Sequence, residues 1–280
     1  MNGGKPLLAP CAPEGVGGPR AWWREAMARQ PELTVFALLL WAAMLPLLAL
    51  HGLDDRSLRG VGVWVKPLKF LASTGLFALT TAWFVGLLPA GRRRDGNVLV
   101  VVWTVIVASL LENGYIGWQA ARGEASHYNF SDAWHIAAYS AMGAVAMALA
   151  ATQLLLAWQI LRHGRDDVDP FWRRAVLTAL ILTFVLGAGA GGTLGSMQPP
   201  ANAGLPLFGW HLAGGDLRPA HFIGLHAQQL VPLAALAMAA WPRRQRAMTL
   251  FVAAYVLLWA AAMALGLHGA RLTVPYGPAA

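Results

Sequence analysis

Charged residues are scarce in this chain. Only 12% of its 280 residues are Asp, Glu, Lys or Arg, whereas soluble domains carry roughly 25%. The scarcity is concentrated in long apolar blocks, and 57% of all residues are hydrophobic. Long apolar blocks with few charges are typical of helices that cross a lipid bilayer. The composition therefore excludes an ordinary soluble domain.

Cysteine is almost absent as well. The single residue, Cys11, excludes an internal disulfide. The short motifs H-E-x-x-H and C-x-x-C-H do not occur, so no compact sequence motif indicates a metal or a haem. No cleavable signal peptide is visible in residues 1–32, which are polar and rich in Gly, Pro and Arg. We therefore expect the first apolar segment to act as a signal anchor.

Seven apolar segments lie near or above the roughly 20 residues that a membrane-spanning helix needs. Their approximate limits are 33–51, 61–88, 97–119, 132–161, 174–195, 218–241 and 247–267. The pattern predicts an all-α protein that forms a bundle of seven transmembrane helices. Residues 1–32 are expected to form a cytoplasmic, largely disordered tail, residues 33–267 the membrane domain, and residues 268–280 an extracytoplasmic tail.

Basic residues alternate between the two sides of the predicted bundle. The N-terminal tail and the loops after the second, fourth and sixth segments hold 14 of the 21 Lys and Arg. Because basic loops remain in the cytoplasm, the N-terminus is expected inside and the C-terminus outside a bacterial cytoplasmic (inner) membrane. The net charge of +8 then marks topology, and we expect no nucleic-acid partner.

Polar residues interrupt four of the seven segments on the predicted outer side. A charge in hydrocarbon costs at least ~2.5–3.5 kcal/mol on insertion scales, so such residues indicate a functional site. Lys66 and Lys69 share one face of the second segment, and Glu112, Tyr115 and Gln119 share one face of the third. We expect Glu112 to pair with one of the lysines. The alternatives are lysines that reach the headgroups and a purely structural ion pair.

The fourth and sixth segments add three histidines to this side. Asp132, His135 and Tyr139 are spaced three and four residues apart on one helical face. His221 and His226 are separated by roughly 140° around a straight helix, so they cannot both point directly at one atom. We therefore expect one of them to act as a ligand or base and the other as its hydrogen-bonded neighbour.

These residue types suggest three groups of candidates. The candidate catalytic residues are Glu112, Lys69 and Tyr139. The candidate metal ligands are His135, His221, His226 and Asp132. The candidate substrate-binding residues are Lys66, Tyr115, Gln119, Arg122, Arg218, Gln228 and Gln229.

Two classes of function are compatible with this inventory. Imidazole and carboxylate groups together suit zinc, iron or copper, and two histidines from facing helices suit a haem. Redox or hydrolytic chemistry on a small or lipid-soluble substrate is therefore the first hypothesis. A proton-coupled transporter of a small solute, or a membrane sensor, is the alternative. Membrane lipids are expected partners in either case, and a homo-oligomer would compensate for the short chain.

Two further regions carry predictions. The stretch Gly187-Ala188-Gly189-Ala190-Gly191-Gly192 matches G-x-G-x-x-G, but it ends an apolar segment and does not follow a strand. It therefore predicts close helix packing by small residues and not a phosphate site. The long outer loop 196–217 is either a lid over the polar residues or a plain connector.

Two resemblances follow from these residues. The segments Val65-Lys66-Pro67-Leu68-Lys69-Phe70 and Asp216-Leu217-Arg218-Pro219-Ala220-His221-Phe222 resemble those of uncharacterised bacterial multi-pass membrane proteins. In its helix number and its histidine and aspartate content, the chain also distantly resembles the alkaline-ceramidase-like seven-helix membrane hydrolases, although their final-helix H-x-x-x-H pattern is absent. The second resemblance implies zinc held by histidine and aspartate.

Overall fold

The computed structural model describes residues 18–200, 204–206, 208–269 and 271–272, most of which are helical. The α-helices are α1 (Pro19–Arg29), α2 (Pro31–Leu53), α3 (Val65–Val85), α4 (Gly96–Arg122), α5 (Ala133–His163), α6 (Pro170–Leu182), α7 (Gly189–Gly195), α8 (Arg218–Leu225), α9 (Ala227–Ala237) and α10 (Arg244–Leu267). A short 3₁₀ helix spans Ala90–Arg92, and a π-helical turn, Thr183–Ala188, joins α6 to α7. The strands are β1 (Ser57–Leu58), β2 (Val61–Gly62), β3 (Met197–Gln198) and β4 (Arg271–Leu272).

Among the described residues, six helical units are long and apolar enough to cross a membrane. They are α2, α3, α4, α5, the continuous α6–α7 unit and α10, with lengths from 21 to 31 residues. Large apolar side chains such as Leu39 and Leu257 are more than 60% exposed on their outer faces. A soluble protein of this size would bury such faces, whereas lipid chains cover them in a bilayer. The chain is therefore a multi-pass membrane protein.

The sixth predicted segment, 218–241, is not a single helix in the structure. It divides into α8 and α9 at His226, whose backbone (φ −87°, ψ 5°) lies outside the α-helical range, and α9 has only 11 residues. The apolar pattern continues through this break, so the sequence predicted one uninterrupted span. The structure confirms six of the seven predicted spans as continuous apolar helices.

The second predicted span, 61–88, begins later as a helix than the sequence predicted. Strands β1 and β2 pair as a hairpin, and Arg59 and Gly60 turn the chain in the left-handed region of backbone space. Helix α3 then starts at Val65, which places Pro67 in its first turn. A proline there removes no helical hydrogen bond, so it has no reason to bend the helix.

Part of the N-terminal tail that was predicted to be largely disordered is helical. Helix α1 packs on α2 and α3, where Trp22 stacks on Trp83 at 4.7 Å between ring centroids. Arg29 lies over the same Trp83 ring at 4.2 Å and donates to its backbone carbonyl oxygen at 2.9 Å. Residues 1–17, and in the C-terminal tail residue 270 and residues 273–280, lie outside the described residues.

The apolar core occupies mainly the arginine-rich half of the molecule. Helix α2 packs on α3, α4 on α5, and α6 on α9, around fully buried residues such as Val101, Leu156, Ile160 and Leu180. The buried polar side chains Glu112, Gln119, Ser126, His135 and Asp216 lie toward the opposite half. Buried polar side chains also occur beside the apolar core, among them Gln153 and Gln159 on α5.

Glycines allow α8 to approach the π-helical turn at backbone contact distance. A Cβ atom on Gly224 would lie 2.5 Å from the backbone nitrogen of Gly187, and one on Gly191 would lie 2.8 Å from the His221 ring. The prediction that the glycine-rich stretch serves close helix packing is therefore confirmed.

Gly224→Ala is expected to lower the free energy of unfolding by about 1–3 kcal/mol, because its methyl group would overlap backbone atoms that cannot move aside. SDS titration in mixed micelles measures this change. The matched control is Gly192→Ala, whose methyl group meets nothing within 4 Å and should cost little. Equal stability of the two variants would contradict the close-packing interpretation.

Candidate functional site

Lys66 lies at the centre of a polar cluster at the N-terminal end of α3. Its Nζ donates to Ser126 Oγ at 2.7 Å, lies 3.0 Å from His127 Nδ1, and is 5.6 Å from the centroid of the Phe70 ring. Ser126 is buried in the loop that joins α4 to α5. The ammonium group is therefore engaged by side chains of the α4–α5 loop.

His127 is the functional candidate to which the sequence gave no role. Its ring lies between aromatic neighbours, 6.2 Å from Phe70 and 5.7 Å from Tyr139 between centroids. Tyr139 donates to Gly195 O at 2.9 Å and Tyr128 donates to Leu194 O at 2.6 Å, which ties this loop to the end of α7. The only sequence signal was the density of polar residues in this loop, which could not indicate which of them faces the lysine.

His127 is held as a neutral imidazole. Burial, together with the positive charge of Lys66, places the pKa of His127 well below its ordinary value. An ammonium group can only donate, so Nδ1 of His127 must accept and its proton lies on Nε2. The ring therefore acts as a hydrogen-bond acceptor toward Lys66.

The lowered pKa of His127 makes stability depend on pH. Below about pH 6.5 the unfolded chain protonates this histidine while the folded protein does not, so stability should fall as the pH decreases. In His127→Asn an amide oxygen can replace Nδ1 as the acceptor. Thermal unfolding in detergent from pH 7.5 to 5 should therefore show a smaller loss for the variant. Parallel curves for the two proteins would contradict the buried neutral imidazole.

Two further cations are covered by the loop that precedes α8. Lys69 Nζ donates to Phe208 O at 3.1 Å, and the Arg218 guanidinium donates to Gly209 O. Asp216 anchors the same loop, because both of its oxygens accept from Arg218 and one also accepts from the backbone N–H of His211. The loop therefore lies over the N-terminal ends of α3 and α8, as a lid would.

Asp216 is ionised in this setting. Burial raises the pKa of its fully buried carboxyl group, but the hydrogen bonds from Arg218 and from the His211 amide outweigh burial and leave the pKa below its ordinary value. Its negative charge is therefore paired with Arg218 and does not neutralise Lys66 or Lys69.

The cluster as a whole carries an excess of positive charge. Arg59, Lys66 and Lys69 each lie within electrostatic range of Arg218. Burial, with repulsion from Arg218, lowers the pKa of Arg59 in the β1–β2 hairpin. Closely spaced cations in a low-dielectric region attract an anion strongly. The arrangement is therefore suited to a carboxylate or a phosphate group.

Glu112 is buried on α4 and makes no ion pair with either lysine, so the predicted direct pair is wrong. Lys66 is engaged by Ser126 and His127, and Lys69 is engaged by a loop carbonyl. Glu112 still attracts Lys66 at longer range, and its Oε1 atom lacks a hydrogen-bond partner among the described residues. A buried carboxyl group with an unused oxygen is able to exchange a proton.

Two polar neighbours of Glu112 share its buried face of α4. The Ser109 hydroxyl and the Tyr115 hydroxyl are buried and have no hydrogen-bond partner among the described residues. Gln119 donates to Ala125 O at 3.2 Å, while its Oε1 atom is buried and unpaired. This face therefore offers several unused polar atoms to a bound molecule.

His135 lies in a separate pocket of about 450 Å³ with Asp132 and Glu124. Its Nδ1 is 2.8 Å from Asp132 Oδ2, and its Nε2 is 3.3 Å from Glu124 Oε2, while the other oxygen of Glu124, Oε1, accepts from Arg122. Because the two ring nitrogens point in opposite directions, the carboxylates lie at opposite edges of the ring. An imidazolium would satisfy both, whereas a metal would require them to converge on one point.

The other two predicted metal ligands lie elsewhere. His221 Nδ1 donates to Gly187 O at 2.9 Å, while His226 Nδ1 donates to Phe222 O at 2.9 Å and stacks on the Phe222 ring. Within the described ranges, no three His, Cys, Asp or Glu residues are grouped to hold a metal ion. Zinc or haem remains a prediction.

Gln228 and Gln229 lie at the break between α8 and α9. Gln228 is buried, and neither of its amide atoms has a hydrogen-bond partner in the described chain. Gln229 donates to Thr80 Oγ1 at 3.2 Å and so connects α9 to α3. Both glutamines are ten or eleven residues from Arg218, about 16 Å deeper along the helix axis.

No family model matches the chain, and neither a curated protein nor a solved structure is significantly similar to it. The class of protein is therefore defined by the fold and the polar cluster alone. It is a multi-pass helical membrane protein with a partly buried, cation-rich polar cluster at one end.

Proposed function

We propose that this protein binds a small anionic solute in the polar cluster and moves it across the bacterial cytoplasmic membrane with a coupled proton. Lys66, Lys69 and Arg218 would hold the anionic group, and Glu112 would carry the proton. The observation that carries the proposal is the excess of partly buried cations beneath a loop whose backbone carbonyl groups engage two of them, Lys69 and Arg218.

The interrupted helix supports this proposal over a purely structural role. Transporters commonly place their sites where a membrane helix is broken, because the free ends of its two halves offer unpaired backbone groups. We propose that α8 and α9 together form a seventh, broken span, with the N-terminus inside and the lysine cluster outside. Gln228, buried at the break and with neither amide atom hydrogen-bonded to a described residue, would then line the route inward.

The first experiment measures anion binding by the purified protein in detergent. Orthophosphate and succinate are titrated at constant ionic strength against chloride, and the midpoint of thermal unfolding is followed. A ligand at 100 times its Kd stabilises the folded state by about 2.7 kcal/mol. Wild type should respond to at least one of the two anions, whereas Lys69→Gln should respond much less because it loses one cation of the cluster.

Arg56→Gln is the matched control, since it removes one charge from an exposed pair with Asp54 on the same end of the molecule. It should respond as wild type does. No shift of wild type with either anion would overturn the proposal. Equal shifts of wild type and Lys69→Gln would show that the anions act elsewhere.

A second candidate is metal- or haem-dependent redox or hydrolytic chemistry on a lipid-soluble substrate. The pocket that contains His135 favours it, because Asp132, Glu124 and Arg122 also line an opening large enough for a small molecule. Binding a metal there would require one carboxylate to leave its edge of the ring. The visible spectrum and the metal content of the purified protein decide this candidate. A Soret band or stoichiometric zinc supports it, and a protein that shows no Soret band and contains no stoichiometric metal rejects it.

A further inference from the structure

Three arginines lie close together at the start of α10, Arg243 just before the helix and Arg244 and Arg246 in its first turn, but they make different contacts. Arg244 faces the protein, where it pairs with Asp169 at 3.1 Å and lies over the Phe171 ring at 4.8 Å. Arg243 and Arg246 are exposed and have no acidic partner in the part of the chain that the structure describes. One arginine thus fixes the turn and leaves the other two available.

A pocket of about 510 Å³ opens between these two arginines. Its lining is Trp241, Pro242, Arg243, Arg246, Ala247 and Leu250, so two cations meet a mainly apolar wall. The Trp241 side chain is 54% exposed at the rim. Exposed tryptophan beside arginine is typical of the level at which a membrane protein meets lipid headgroups.

The pocket continues onto an apolar stripe of α10. Arg246, Leu250, Ala253 and Leu257 follow one another at spacings of four, three and four residues, and all are exposed. Leu250 and Leu257 are 71% and 69% exposed. A ligand with a negative head at Arg246 and a hydrocarbon tail along these residues would satisfy both the charge and the apolar surface.

We propose that this pocket binds one anionic phospholipid, with its phosphate between Arg243 and Arg246 and an acyl chain along α10. A free phosphate would leave the leucine stripe without a role. A second copy of the chain in the same membrane would bring its own unpaired arginines to the same depth, and the like charges would repel. The site lies at the arginine-rich end, away from the lysine cluster, so the proposal is independent of the transported solute.

Native mass spectrometry of the detergent-solubilised protein tests the site. The protein is titrated with phosphatidylglycerol and, in parallel, with phosphatidylcholine that carries the same acyl chains. Wild type should retain one phosphatidylglycerol in preference to phosphatidylcholine. The double variant Arg243→Gln, Arg246→Gln should bind phosphatidylglycerol at least roughly tenfold more weakly, because each arginine contributes about a factor of five near an anionic headgroup.

The matched control is the double variant Arg162→Gln, Arg174→Gln, which removes two exposed arginines from the same end of the molecule but none from the pocket. It should retain phosphatidylglycerol as wild type does. Equal weakening by the two double variants would show a diffuse surface charge and would overturn the site. Equal retention of the two lipids, or full displacement by inorganic phosphate, would overturn it as well.

Discussion

Glu112→Gln is expected to abolish the coupling of anion uptake to a proton gradient. Glu112 is a buried carboxyl group whose negative charge attracts the Lys66 ammonium. The amide of Gln in its place cannot release or take up a proton. The measurement is uptake of radiolabelled phosphate or succinate into proteoliposomes under an imposed pH gradient. Wild type should accumulate whichever anion it binds, and the variant should reach only the equilibrium level.

Two controls separate proton coupling from a folding defect. Glu112→Asp retains a titratable group on the same helical face, so gradient-driven uptake should persist at a lower rate. Glu112→Gln should be at least as stable as wild type, because a neutral side chain avoids the cost of burying a charge. Full accumulation by a folded Glu112→Gln protein would exclude Glu112 as the proton carrier.

Asp216→Ala is expected to lower the free energy of unfolding by about 3 kcal/mol and to release the loop over the lysines. The Asp216 carboxylate is fully buried and accepts from Arg218 and from the backbone of His211, so its removal leaves the guanidinium without its anion. SDS titration gives the stability change. Limited proteolysis within 204–211 should become faster, because the loop loses its anchor.

The exposed pair between Arg92 and Asp95 provides the comparison. Asp95→Ala removes a carboxylate whose side chain and partner are both well exposed, and such pairs contribute about 0–1 kcal/mol. If Asp216→Ala costs no more than Asp95→Ala, the buried aspartate does not hold the loop. If proteolysis within 204–211 is unchanged while stability falls, the loop is anchored by other contacts.

Apolar length was sufficient to predict most of the membrane helices. The segments around Leu39, Val101 and Leu257 are long and uncharged, and each became a continuous helix. Segment 218–241 has a similar composition, yet it breaks at His226. The break occurs where Gly224 packs against the π-helical turn, a contact between residues far apart in sequence that no local pattern records.

The sequence predicted the end of the helices at which Lys66, Lys69 and Glu112 lie, but not which residues they contact. Helical spacing placed Lys66, Lys69 and Glu112 at one end, and the structure agrees with that placement. The direct pairing of a lysine with Glu112 failed, because His127 and the carbonyl of Phe208 engage the lysines first. Both of these partners come from loops, and loop geometry is set by the helices that the loops connect.

Hydropathy and charge are properties of short stretches, so the sequence by itself determined that the chain crosses a membrane and at which end its buried charges lie. Which of those charges meet was decided by the tertiary structure. A hydrogen bond between Lys66 and Ser126 depends on the relative position of two elements sixty residues apart, and only the packing of α3 against α4 and its following loop sets that position.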